Sequence, residues 1–233
     1  MRALRNGKRR SRAGAHDPER LNRASVFITI EGIEGSGKTT QVRLLAERLE
    51  RAGRAVQTTR EPGGTPLGER LRELLLHDRT PMSALAELFL LLADRAEHVA
   101  GTIRPALARG EVVLCDRFSD STLAYQAYGR GLRVELVRVA DAGARDGLLP
   151  DLTFVLDCPV DVGLARTRKR RGGSEADRFE GEDVAFHERV RSGFLELAGA
   201  DRSRIQVIDG MLPVDDVRDR IFAEARARLG VPS

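Results

Sequence analysis

Residues Gly32 to Thr40 read GIEGSGKTT, which is the spacing G-x-x-x-x-G-K-[ST]. Gly32, Gly35 and Gly37 free the backbone to turn its N–H groups toward one anion, with Ile33, Glu34 and Ser36 filling the loop between them. Lys38 supplies a cation for outer phosphate oxygens, Thr39 a hydroxyl for Mg²⁺, and Thr40 leads into the amphipathic run QVRLLAERLE. Strand, glycine loop and helix in that order predict a nucleoside triphosphate site, because a helix N-terminus adds its positive dipole end to the amide cradle. A second constellation, CDRFSDSTLAYQAYGRG, places Asp116 beside Arg117. A carboxylate for a Mg²⁺-bound water or a proton then stands next to a guanidinium suited to bidentate phosphate contact. The guanine-reading NKxD pattern is absent from the chain. A third stretch, RTRKRRGGSEADRFE from Arg166 to Glu180, fits a solvated helix face, a nucleic-acid patch or a tool for phosphate.

The elements that must hold these residues follow from the apolar pattern. Short β-rich runs at 25–31, 54–59, 111–116, 152–158 and 205–209 alternate with helical patterns near 38–52, 67–78, 83–109, 133–146, 161–170, 182–199 and 214–229. Most of the runs are almost continuously apolar, as strands covered on both faces are. The alternation predicts an α/β fold, a doubly wound parallel five-stranded sheet with helices on both faces, with ligands outside the carboxyl ends of the strands. Pro105 is expected to divide the third helical pattern, and Pro81 to precede a helix start. Long loops are expected near 60–66 and 171–181.

Charge separates a tail from a body. The chain of 233 residues carries a net +4, yet eight of its basic residues fall within 1–24 against Asp17 and Glu19, which leaves the remainder at −2. A mildly acidic body argues against nucleic acid as the main partner. Residues 1–24 have no apolar face and are expected to be a basic, disordered tail, followed by a single domain over 25–233. No apolar run approaches the ~20 residues of a membrane span. Cys115 and Cys158 sit in apolar runs and suit buried packing in a reducing compartment, and the four histidines show no ligand spacing, so they are expected on helix surfaces or as satisfied core groups.

The segments FITIEGIEGSGKTTQ, TREPGGTPLGERLR, ADRAEH, CDRFSDSTLAYQ and DRFE occur in order between about Val26 and Leu229. Together they resemble thymidylate kinase, a P-loop nucleoside monophosphate kinase family that passes the γ-phosphoryl group of ATP to dTMP. The resemblance implies a parallel-sheet core, ATP as donor, Mg²⁺, dTMP as acceptor, a cytoplasmic location and a homodimer. Arg72, Arg95 and Arg117 match the family's arginines at the monophosphate site, the last two for the phosphate and Arg72 nearer the base. Gln126 matches the residue that hydrogen-bonds the thymine edge, Thr122 lines the same pocket, and Tyr125 matches the aromatic that crowds the sugar 2′ position. Glu34 matches the acidic P-loop residue near the acceptor sugar and the transferring phosphate, and Glu61 and Pro62 open a positioning loop.

One departure stands out. Where the family often has an aromatic four residues before the ADR arginine, stacked on thymine, this chain has Leu91, with Phe89 on another helical face. The P-loop also carries no arginine, so a cation is expected from the basic lid of the family's bacterial type, about 166–181. Arg166, Arg168, Arg170 and Arg178 are its candidates, with Arg168 and Arg178 foremost. Leu91 leaves dUMP or a wider pyrimidine range open as acceptors. A kinase for another nucleotide or for a deoxynucleoside is one rival reading. A nucleic-acid-binding protein with a vestigial P-loop is the other, resting on charge without the interleaved aromatics of single-strand binders.

Overall fold

The computed structural model describes residues 25–78, 80–172 and 175–229. Five parallel strands run β1 Val26–Glu31, β2 Val56–Arg60, β3 Val112–Asp116, β4 Leu152–Asp157 and β5 Ile205–Asp209. Their spatial order is β2-β3-β1-β4-β5, so the chain reverses direction beside β1. Each lies within two residues of its sequence-based expectation. Every residue of β1 is buried, and β3 and β4 are buried except at their last residue, whereas the edge strands β2 and β5 are partly open. Continuous apolarity therefore marks the inner strands, and the Gln57–Thr58–Thr59 run of β2 reflects its place at the edge.

Helices α1 Lys38–Arg51, α2 Pro66–Leu76, α3 Ala84–His98, α4 Arg104–Ala108, α5 Ser119–Thr122, α6 Val134–Ala144, α7 Val160–Arg171, α8 Val184–Ala200 and α9 Val214–Leu229 cover both faces. Thr65, Ser83 and Asp183 cap α2, α3 and α8 by accepting from backbone N–H groups of the first turn. One face of the sheet packs against α1 and α9 through Val42, Leu45, Leu49, Val217 and Ile221. On the other, Phe27 of β1 meets Phe118 edge to face at 4.9 Å and packs with Val99 and Ile103.

Two elements differ from expectation. Helical pattern 83–109 is divided as Pro105 requires, but the division is spread over a widened π turn, Val99–Ile103, that ends before α4. Proline removes an N–H and crowds the carbonyl four residues back, and a wider turn relieves both. The second difference is an unexpected helix: α5 continues into a π segment, Leu123–Gly129, within a stretch whose polar start, Ser119 to Thr122, masked its periodicity. It is held by close approach to α8, where a side chain at Gly129 would meet Phe186 at 2.7 Å and one at Gly193 would meet Tyr128 at 2.7 Å. The tail at 1–24 lies outside the described residues, as does Gly173 of the lid.

Candidate active site

β1, β3 and β4 end on one side of the sheet, and the glycine loop leaves β1 there. Gly32 adopts φ 136° and Gly35 φ 71°, conformations that L side chains avoid. Space is as restrictive as angle, since a Cβ on Gly35 would lie 2.0 Å from the Gly163 carbonyl oxygen of α7. Gly37 precedes α1, whose first residue is Lys38. The Lys38 ammonium is drawn back over the loop, donating to the Ile33 carbonyl at 2.7 Å and to Ser36 Oγ at 3.4 Å. Burial, reinforced by Arg117, pushes its pKa down to about 8 despite three nearby carboxylates. A charge held at that cost calls for an anion.

Thr39 Oγ1 donates to Asp116 Oδ2 at 2.6 Å, so hydroxyl and carboxylate are brought together from two elements distant in sequence. These are hard oxygen donors, few in number, which fits Mg²⁺ keeping several waters and completing its shell on phosphate. Arg117 stands at φ 72°, turned out of the strand line so that its guanidinium reaches across β1. It donates to the Gly32 carbonyl at 3.0 Å, to Ser121 Oγ at 3.1 Å and to Glu34 Oε1 at 2.8 Å. Tyr125 donates its hydroxyl to the same Glu34 oxygen at 2.5 Å, and His187 Nδ1 stands 3.3 Å from the other. Burial alone would raise the Glu34 pKa; Arg117, His187, Lys38 and Tyr125 reverse this and hold it well below the usual carboxylate range.

Behind this pair lies a buried network. Arg95 is 2% exposed and donates through Nε and Nη2 to Glu61 Oε2, at 3.0 and 2.7 Å, and through Nη1 to Asp141 Oδ1 at 2.5 Å. His98 sits between Glu61 Oε1 at 2.9 Å and Thr59 Oγ1 at 2.6 Å. Arg95 thus spends three of its five N–H groups on carboxylates and keeps two. Arg72 is half-buried, with Nη1 on the Pro62 carbonyl at 2.9 Å, beyond a cis Glu61–Pro62 bond.

A cavity of about 790 Å³ joins these parts. Its walls include Glu34, Lys38, Thr39, Asp116 and Arg117 together with Arg72, Leu91, Arg95, Thr122, Tyr125 and Gln126. Phe89 is 54% exposed, on the other side of α3 from Leu91, as the helical spacing required. Of the lid arginines it is Arg170 that lines the cavity. Arg168 is exposed outside it, and Arg178 is tied to the backbone carbonyls of Leu75, Asp78 and Thr80 at 2.7 to 3.0 Å. Arg166 donates to the Gly210 carbonyl at 3.2 Å. Gln41 of α1 donates to the carbonyl of Val214 at the start of α9 at 3.0 Å, and the residues between β5 and α9 do not line this cavity.

Sequence reasoning missed Ser121, Glu87, Arg130, Asp141 and His187. Only the amphipathic run around FHERV hinted that His187 faces inward, and its burial beside Glu34 corrects the expectation of a surface or satisfied ring.

Comparison with known proteins places this geometry. A family model described as thymidylate kinase matches residues 30–221. The thymidylate kinase of Synechococcus sp. (strain JA-3-3Ab) is 55% identical over 204 residues, covering 88% of this chain and 97% of that protein. That of Trichlorobacter lovleyi is 47% identical over 211 residues, covering 89% and 100%. The crystal structure of thymidylate kinase from Ehrlichia chaffeensis superposes with a TM-score of 0.70 at 36% identity, over 87% of this chain and 99% of that one. With the family model matching residues 30–221 and relatives about half identical over most of its length, the protein belongs to the thymidylate kinase family.

Proposed function

We propose that the cavity holds ATP on the P-loop and dTMP at the Arg72–Gln126 end, and that the protein transfers the γ-phosphoryl group to give dTDP and ADP. The observation that carries this is Arg117: one guanidinium spans the P-loop carbonyl of Gly32 and Glu34 from the end of β3, in the wall of a cavity that Lys38, Arg72, Arg95 and Gln126 also line. A phosphate oxygen of dTMP forms the new P–O bond while the bond from γ-phosphorus to the bridging oxygen breaks, and the electron pair leaves with ADP. The acceptor phosphate is largely dianionic near neutral pH, so no base is required. What the reaction needs is alignment and cancellation of negative charge.

Backbone N–H groups from Gly32 to Thr40 and the Lys38 ammonium hold the donor phosphates. Thr39 and Asp116 are the residues that would hold Mg²⁺, which when bound neutralises charge between the β- and γ-phosphates. Arg117, freed from part of its hold on Glu34, and the two unspent N–H groups of Arg95 receive the acceptor phosphate, with Arg72 nearer the base. Glu34 keeps Arg117 and Tyr125 in place until substrate arrives. Thr122 and Tyr125 shape the sugar and base pocket, and Gln126 meets the base edge. Residues 166–181 form the lid of a single domain over 25–233, from which Arg168, Arg170 or Arg178 adds positive charge on closure. Arg170, at the cavity wall, is the candidate in place.

Homodimer formation is part of the same proposal. Leu85 and Phe89 of α3 and Leu136 and Val139 of α6 are exposed on two helices that pack together, an apolar face suited to a second copy. No helix among the described residues is long and apolar enough to cross a membrane; a cytoplasmic location is proposed from the family and its substrates.

The test is coupled ADP release with ATP, Mg²⁺ and each of dTMP, dUMP, dCMP, UMP and thymidine. A dTMP-led response with thymidine inert is expected. Thymidine turnover would place the acceptor hydroxyl, not a phosphate, among the arginines and defeat the reading.

A further inference from the structure

Gln126 is fully buried, and its side-chain amide has one contact and one vacancy. Nε2 donates to Glu87 Oε1 at 3.1 Å, while Oε1 has no hydrogen-bond partner. Glu87, on α3, is itself 2% exposed. Arg130 grips it from the other side, Nε to Oε1 and Nη2 to Oε2, both at 3.0 Å. Arg130 is in turn anchored by Glu182 at 2.5 Å and by the Phe186 ring, 4.8 Å below its guanidinium.

A carboxylate paired with arginine only accepts hydrogen bonds, whereas an amide has a donating and an accepting end. The Gln126 amide can therefore face Glu87 only with its NH₂ group; turned over, it would set oxygen against oxygen in a buried site. The free end is then necessarily the carbonyl. A buried carbonyl without a partner is unfavourable, and Gln126 lines the cavity at the end assigned to the acceptor base.

We infer that the Glu87–Arg130 pair fixes the Gln126 amide with its oxygen free for the acceptor base, and so selects bases that offer an N–H at that edge. Thymine and uracil carry N3–H; cytosine has an unprotonated N3 and presents a lone pair to the same oxygen. Glu87 and Arg130 are positioning residues that read the base through Gln126, and the inference rests on the dTMP reading given above. A polar selection of this kind does not need an aromatic at position 91, which reconciles Leu91 with a pyrimidine-specific pocket.

The experiment is kcat and KM for dTMP, dUMP and dCMP in the unaltered protein, Glu87→Gln and Glu87→Asp. Glutamine at 87 offers either end, so the Gln126 amide can turn. The dTMP-to-dCMP ratio of kcat/KM is expected to fall at least about tenfold in Glu87→Gln, mostly through KM, and to stay within about twofold in Glu87→Asp, which keeps an acceptor. Equal loss for every base in Glu87→Gln, as a merely structural role predicts, would overturn the inference while leaving the dTMP reading intact. Unaltered protein that prefers dCMP, or accepts no monophosphate, would overturn both. Should Glu87→Gln not fold, NMR of the N3–H proton of ¹⁵N-labelled dTMP on the unaltered protein decides. A slowly exchanging proton with a cross-peak to the Gln126 side chain is expected, and one exchanging as in free dTMP would refute the inference.

Discussion

In the proposed reaction the positive charge comes chiefly from Lys38, Arg95 and Arg117, all of them buried or partly buried. Lys38→Met removes a cation that the loop holds against burial, and kcat is expected to fall about 10³-fold, beyond any change in KM for ATP, in steady-state assays. Glu31 offers a pH test away from the reacting phosphates. It is buried at the end of β1, accepts from Phe118 N–H at 2.7 Å and Ser121 Oγ at 2.5 Å, and faces Asp120 and Arg117. Burial, then Asp120, pushes its pKa up to about 8, so the folded protein binds a proton that the unfolded chain has released above its ordinary value of 4.5. Stability from this group is therefore full below pH 4.5 and lost as pH rises through about 8, at up to about 1.4 kcal/mol per pH unit. Glu31→Gln should flatten the fall of Tm between pH 5 and 8 in calorimetric scans; an unchanged slope would assign it elsewhere, with Asp94 the next group raised in the same sense. Legibility at this scale followed contiguity. Lys38, Thr39 and Arg117 announced themselves because their motifs are short, whereas Glu61 and Asp141 lie 34 and 46 residues from the Arg95 they clamp. Nothing local records such a pairing.

Among the elements, the closest approach is that of the P-loop to α7, where Gly35 and Gly163 leave no room for a methyl group on either side. Gly163→Ala would set its Cβ 2.5 Å from the Glu34 carbonyl oxygen and push α7, which leads into the proposed lid, off the loop. It should lower kcat and raise the KM for ATP together, as displaced gating elements do. Within the proposed lid, Arg170→Ala is expected to lower kcat with little change in Tm. Arg178→Ala, by releasing the carbonyls of Leu75 in the last turn of α2 and of Asp78 and Thr80 beyond it, should lower Tm instead. Equal effects from both would erase the distinction between them. The strands were legible because burial on both faces leaves a continuous apolar signature. The helix from Ser119 to Gly129 was not, because a π segment breaks the 3.6-residue period and its fit comes from Gly129 pressed against α8 and Gly193 of α8 receiving Tyr128.

At the scale of the molecule, the order β2-β3-β1-β4-β5 brings the glycine loop and the proposed acceptor pocket to one end of the sheet, where Arg117 reaches the loop carbonyl of Gly32. The exposed apolar face on α3 and α6 makes Phe89→Glu combined with Val139→Glu the test of the proposed dimer. Sedimentation should show monomers for the double variant and dimers for the parent, and a parent that sediments as a monomer would remove the proposal. The fold class was legible from alternation alone, but the strand order and the joining of both sites in one cavity were not, since they depend on crossovers that no single segment encodes. The measurement that bears most directly on the whole account is transfer of ³³P from [γ-³³P]ATP to dTMP, with the product identified by chromatography. Label appearing in dTDP, in step with ADP and abolished by Arg117→Ala, is the predicted result; label released as inorganic phosphate at the same rate with or without dTMP would contradict it.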